Sequence, residues 1–273
     1  MTSFNDQILR NVENVRKRIA LAEERSGRKA NSVKMVAVTK YSSCNDGFIP
    51  ALFNAGCFDF GENRPQHFLD KIEAFRDSAH WHFIGSLQRN KVRRILPFVS
   101  LIHSVDSVKL AETIDRILYE EGKRQSLLST ESSKSTESLK LIESPNQTET
   151  APASFLLNRS FPAKVSVLLE VNISHEDQKH GFQPDELLNQ LGELFSLTHL
   201  NICGLMGMGG LSSDEREIRQ QFGSLRKLLE RIRHIFPQET QFRELSMGMS
   251  DDFEIAIEEG STIIRLGSIL LPR

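Results

Sequence analysis

Strand-like and helix-like segments alternate along almost the whole chain, and this alternation limits its fold more than any other feature. The runs VKMVAVT, CFDFGEN, HWHFIG, LIHSVD, KVSVLLEVN, LNICGLMGM, RELSMGMS and STIIRLGS read as eight strands. The first, a short apolar run rich in β-branched residues, suits a strand buried on both faces and is too short for a helix. Helical periodicity fills the gaps at about 46–56, 65–77, 88–96, 107–121, 184–197, 213–235 and 251–259. Such alternation implies parallel strands joined by right-handed crossovers. Eight units, with no GxGxxG turn after the first strand, predict an α/β fold of one closed (β/α)8 TIM barrel rather than an open doubly wound sheet. The 273 residues suit that reading, since such barrels use ~250.

Only ILLPR follows the eighth strand, too little for the helix that normally covers that side of a barrel. Residues 4–25 carry Ile8, Val12, Val15, Ile19 and Leu21 at helical spacing, with Gly27 as a stop signal. This N-terminal helix is expected to cover strands one and eight. Residues 124–160 interrupt the alternation with a Ser/Thr/Glu/Pro-rich stretch that cannot bury a continuous face. They read as a disordered insertion in a single domain spanning 1–273.

Lys+Arg 34 against Asp+Glu 36 leaves a net charge of −2, which provides no broad attraction for nucleic acid or anionic lipid. Cys44, Cys57 and Cys203 form no CxxC pair and read as reduced thiols. The N-terminus has no apolar leader core, and no uncharged run is long enough to span a bilayer. The expectation is a cytoplasmic monomer with neither nucleic-acid nor membrane partners.

In a barrel of this kind reactive residues sit at the C-terminal ends of the strands. Those ends are polar and glycine-rich here. Lys40 closes the first strand, where partial desolvation would favour its neutral, nucleophilic amine; alternatively it snorkels to solvent at the rim. SMGMS and RLGS place Ser246, Ser250, Gly267 and Ser268 where barrels commonly build a phosphate cradle, although turn and cap serines have the same appearance. Arg265, inside the apolar IIRLG, needs a carboxylate or a ligand acceptor. His82 beside Trp81 reads as a packed core residue, and Asp251-Asp252 as helix N-terminal charges rather than a metal pair.

The stretches VAVTK, GEN, WHFIGSLQRNK, HSVDS, VNISHEDQKHGF, GLMGMGG, SMGMSDDFEIAIEEGST and IRLGS, in this order, resemble the pyridoxal 5′-phosphate (PLP) homeostasis proteins. The resemblance spans nearly the whole chain. It implies a barrel like the N-terminal domain of alanine racemase, with PLP held as a Schiff base on Lys40. It also implies a phosphate cradle from Gly267, Ser268 and the SMGMS serines, and Arg265 near the pyridine nitrogen. Asn63, His82 and Met206 match positions near the cofactor. RPQH at 64–67 and ILLPR at 269–273 depart from the family pattern, so the cradle's outer edge is expected to differ.

The function implied is PLP homeostasis: a carrier that hands the cofactor to apo PLP-dependent enzymes, with no catalytic turnover. The alternatives are an amino-acid racemase or another barrel enzyme, such as an aldolase, using Lys40. A racemase needs a second base, and of the two tyrosines Tyr119 falls on an outer helix while Tyr41 would have to turn inward.

Overall fold

The computed structural model describes residues 3–75, 78–132, 160–174, 180–210 and 214–272. Helix α1 (Phe4–Arg25) starts at Ser3, whose hydroxyl accepts from the Asp6 N–H while the Asp6 carboxylate accepts from the Ser3 N–H. Then follow β1 (Lys34–Val38), α2 (Phe48–Asn54), β2 (Asp59–Glu62), α3 (Pro65–Phe75) and β3 (His80–Phe83). A 3₁₀ turn at Arg89–Lys91 leads into α4 (Val92–Ile95), followed by β4 (Leu101–Val105) and α5 (Val108–Ser132). The second half is β5 (Val165–Val171), α6 (Pro184–Ser196), β6 (Leu200–Gly207), α7 (Glu215–Ile235), β7 (Glu244–Ser246), α8 (Phe253–Glu258) and β8 (Ile263–Leu266), ending in a 3₁₀ turn at Ser268–Leu270.

The strands form one closed parallel barrel in sequence order, and β1 closes on β8 in register from Lys34 opposite Ile263 to Ala37 opposite Leu266. The fold is the expected TIM barrel. Closure leaves two apolar layers. One lies between strands and helices, where Phe60, Phe68, Trp81 and Phe83 pack ring on ring. The other is a plug inside the barrel made of Val36, Leu101, Leu168, Met206 and Ile263.

Helix α1 packs beside α8, α2 and the 3₁₀ turn that follows β8, on the side of the barrel where β1 meets β8. Its buried stripe of Ile8, Val12, Val15, Ile19 and Ala22 joins the main core. Polar clamps fix its position between α8 and α2. Arg18 forks onto Glu254 at 3.2 and 2.7 Å, Arg16 donates to the Gly56 carbonyl at 2.8 Å, and the Asn11 amide donates to the carbonyls of Leu270 and Leu271. Glu23, only 2% exposed, accepts from the N–H groups of Asn31 and Val33 and from the Ser32 hydroxyl, so it ties the loop into β1.

One boundary differs from expectation. Helix α5 runs past 121 to Ser132, so the first part of the stretch read as disordered, 124–132, is helical. RQSLLSTES holds no glycine or proline, and its Arg, Gln and Leu residues propagate a helix at little cost once it has begun. The rest of that stretch, up to 159, lies outside the described residues. Among the described residues no helix is long and apolar enough to cross a membrane, and the three cysteines are unpaired.

Candidate functional site

The C-terminal ends of the strands surround a cavity of about 380 Å³. This lies within the range of about 300–1,000 Å³ usual for small-molecule sites. Six of the nine residues singled out in the sequence line it: Lys40, Asn63, Ser250, Arg265, Gly267 and Ser268. A larger hollow, about 660 Å³, opens at the other end of the barrel beside α1, and none of the strand-end residues reaches it. The residues singled out for chemistry therefore gather at the smaller cavity.

Lys40 is positioned by its neighbour. The Thr39 carbonyl accepts from Lys71 Nζ at 2.6 Å and from the Ser42 N–H at 2.9 Å, while its hydroxyl donates to Glu62 Oε1 at 2.5 Å. Lys71 and Glu62 form a buried ion pair beneath it. Beyond this anchor Lys40 is exposed at the rim, with Nζ 4.8 Å from the centre of the Tyr41 ring. Of the two readings of Lys40, exposure at the rim is the one observed: the strand ends at Val38, two residues before it.

Asn63 is set by a close backbone approach. A Cβ on Gly85 would lie 2.2 Å from the Asn63 carbonyl oxygen, so only glycine lets the ends of β2 and β3 meet there. The Ser250 hydroxyl accepts from the N–H groups of Gly267 at 3.3 Å and Ile269 at 3.4 Å, which gathers hydroxyl and backbone donors where β8 passes into its 3₁₀ turn. Asp252 takes up the Met249 N–H at 2.5 Å, a turn contact. The departing termini are also explained: Pro65 starts α3, and the ILLPR carbonyls are held by Asn11.

Arg265 is 5% exposed, and its Nη1 donates to the Ser246 carbonyl at 2.8 Å and hydroxyl at 2.6 Å. Its Nη2 donates to the Gly207 carbonyl at 3.2 Å. Burial lowers its pKa to about 10, against the opposing pull of Glu170 and Asp252. Glu170 lines the same cavity at 4% exposure, a residue the sequence reading missed. Burial, with Asp106 nearby, pushes its carboxyl up to about 7, although Arg265 and His180 act the other way. The available signal was a lone acid in the apolar run VSVLLEV.

Three singled-out residues do not line the cavity. Met206 belongs to the apolar plug, and Ser246 lies below Arg265, fully buried. His82 faces the barrel interior, its Nδ1 2.9 Å from His103 Nε2 and its Nε2 3.0 Å from Asp59 Oδ1. Among the described residues no group of three His, Cys, Asp or Glu side chains is arranged to hold a metal.

Residues 141–271 match the family described as alanine racemase, N-terminal domain. Over 257 residues the chain is 32% identical to the pyridoxal phosphate homeostasis protein of Aquifex aeolicus, covering 94% of this chain and 93% of that one. The chain belongs to the pyridoxal phosphate homeostasis protein family. The Synechocystis homeostasis protein is 36% identical, with 88% of this chain and 90% of that one covered. PipY of Synechococcus elongatus PCC7942, solved with PLP bound, shares the barrel at a TM-score of 0.69 and 29% identity, over 94% of this chain and 100% of that one. The chain therefore shares its fold and nearly its whole length with these relatives.

Proposed function

We propose that this homeostasis protein binds PLP in the cavity at the C-terminal mouth, attached through Lys40, and works as a cytoplasmic carrier for apo PLP-dependent enzymes rather than as a catalyst. The observation that carries this reading is the donor set around one cavity: a primary amine, a serine-glycine cradle and a buried guanidinium. PLP supplies an aldehyde for an amine to capture, a phosphate for the cradle and a ring nitrogen for a polar partner. The residues present fit that group. Lys40, accessible on an anchored strand end, is the amine. The hydroxyls of Ser250 and Ser268 and the Ser268 backbone N–H offer donors for the phosphate, beside Gly267, whose own N–H holds the Ser250 hydroxyl in place.

Arg265 supports holding over turnover. It is fixed by three hydrogen bonds and remains a cation throughout the physiological range, so it donates to whatever it faces and does not yield a proton to it. A ring nitrogen beside such a donor stays unprotonated and is a weak electron sink. The racemase alternative gains nothing from the tyrosines. Tyr41 lies on the same wall as Lys40, and Tyr119 is on α5, 5.7 Å from the His199 ring.

The test is an absorbance scan with and without PLP, borohydride reduction and peptide mapping. A reducible band near ~420 nm that maps to Lys40 is expected, and it should vanish in Lys40→Ala. An unchanged reducible adduct in Lys40→Ala would remove Lys40 from its role. Absence of any adduct in the wild type would discard PLP and favour a barrel enzyme acting on another phosphorylated carbonyl. Racemisation or cleavage of amino acids by the loaded wild type would overturn the carrier role while leaving the site intact.

A further inference from the structure

Hydrogen bonds run end to end through the inside of the barrel. Asp59 Oδ1 lies 3.0 Å from Nε2 of His82, whose Nδ1 is 2.9 Å from Nε2 of His103. Nδ1 of His103 is 2.8 Å from the Ser246 hydroxyl, which accepts from Arg265 Nη1 at 2.6 Å. The links come from β2, β3, β4, β7 and β8, and the two rings and the serine are at most 2% exposed. The two ends differ. Asp59 opens on the N-terminal mouth beside Lys34 at 3.4 Å and His80 at 3.6 Å, whereas Arg265 lines the cavity at the opposite mouth.

The direction of every hydrogen bond is forced. An ionised carboxylate only accepts, so Nε2 of His82 carries a proton. Burial holds both imidazoles below their ordinary pKa, hence neutral at pH 7 and above, with a single N–H each. Nδ1 of His82 must then accept from Nε2–H of His103, and Nδ1 of His103 must accept from the Ser246 hydroxyl. That hydroxyl keeps a lone pair for Arg265, which can only donate. Counting from the guanidinium, each group donates once toward Asp59. A cation at one mouth and an anion at the other thus terminate a chain of aligned dipoles, an arrangement in which successive bonds polarise one another.

We propose that Asp59 is a remote positioning residue for the cavity: through His82, His103 and Ser246 it orders the side chain of Arg265 and gives its charge a distant counter-ion. Its effect on PLP rests on the function proposed above, whereas the ordered chain does not. This arrangement also gives His82 and Ser246 a role at the site without their touching its contents.

The experiment is ¹⁵N NMR of the histidine side chains in the cofactor-free protein, wild type and Asp59→Asn. In the wild type at pH 8 both rings are expected to be neutral with the proton on Nε2. A protonated ring, or a proton on Nδ1 of either, overturns the chain as described, whether or not any variant folds. In Asp59→Asn, which removes the charge and retains an acceptor, the His103 nitrogen signals are expected to shift although His103 does not touch residue 59. His103 signals that stay in place overturn the coupling. On loading, Asp59→Asn is expected to bind PLP about fivefold more weakly, the lower end of usual site-to-site coupling. If the histidine predictions hold while the wild type takes up no PLP, the chain stands and the function proposed for the cavity falls.

Discussion

Replacing Lys71 with methionine is expected to cost about 3–5 kcal/mol of stability, because it strands a buried carboxylate. Lys71 is 2% exposed and Glu62 is fully buried, and their ion pair lies under the end of β1. Glu62 Oε1 also accepts from the Thr39 hydroxyl, whereas its Oε2 has no hydrogen-bond partner. With the ammonium gone, little remains to compensate the carboxylate, and the Thr39 carbonyl loses its 2.6 Å donor. Urea unfolding at pH 7 measures the loss. The double variant Lys71→Met with Glu62→Leu should recover most of it, since replacing both members of a buried pair by apolar groups is often neutral or better. A loss under about 1 kcal/mol in the single variant would mean that the pair behaves as a solvated one. Because Thr39 immediately precedes Lys40, the single variant should also loosen the anchor from which that amine projects.

The residues that report the barrel in the sequence are those that cannot serve any other fold. VKMVAVT and KVSVLLEVN are largely apolar on both faces, as parallel strands packed against helices outside the barrel and a side-chain plug inside it must be. The Ser3 cap and the apolar stripe of α1 mark that helix equally well. Strand ends rich in glycine and serine locate the mouth, and six of the chosen residues meet there. The same doubly buried character hides the rest. A strand buried on both faces does not show how deep a residue lies along the barrel axis, so HWHFIG and LNICGLMGM suggest His82 and Met206 for the cavity although both lie deeper. The relation of Asp59 to Arg265 is likewise invisible, since it depends on five strands meeting after closure. The exposure of Lys40, one of the two readings the sequence allows, follows from where β1 stops, a boundary that pattern locates poorly.

Glu170→Gln should make the protein more stable at pH 8 than the wild type, by about 2–3 kcal/mol, and equally stable near pH 4. β5 stands across the barrel from β1, so Glu170 occupies the wall facing Lys40. Its carboxyl titrates at about 7 in the folded protein against 4.5 for an unperturbed glutamate. Between those values the folded state holds the proton more firmly than the unfolded one, so stability falls as pH rises through that window. The gap from 4.5 to about 7, at about 1.36 kcal/mol per pH unit, sets an upper limit of about 3.4 kcal/mol, fully present above pH 7. Arg265 trims the gain, because it loses the carboxylate that most favours its charge. Urea unfolding at pH 4, 6 and 8 separates the cases: a gain that grows with pH fits, whereas one of the same size at all three would show packing and not ionisation. In the same window the ionised Glu170 offsets the charge of Arg265 in the cavity. The glutamine variant should therefore attract an anion such as PLP or free phosphate more strongly at pH 8, an advantage that disappears as the pH falls toward 5 and the wild-type carboxyl becomes neutral.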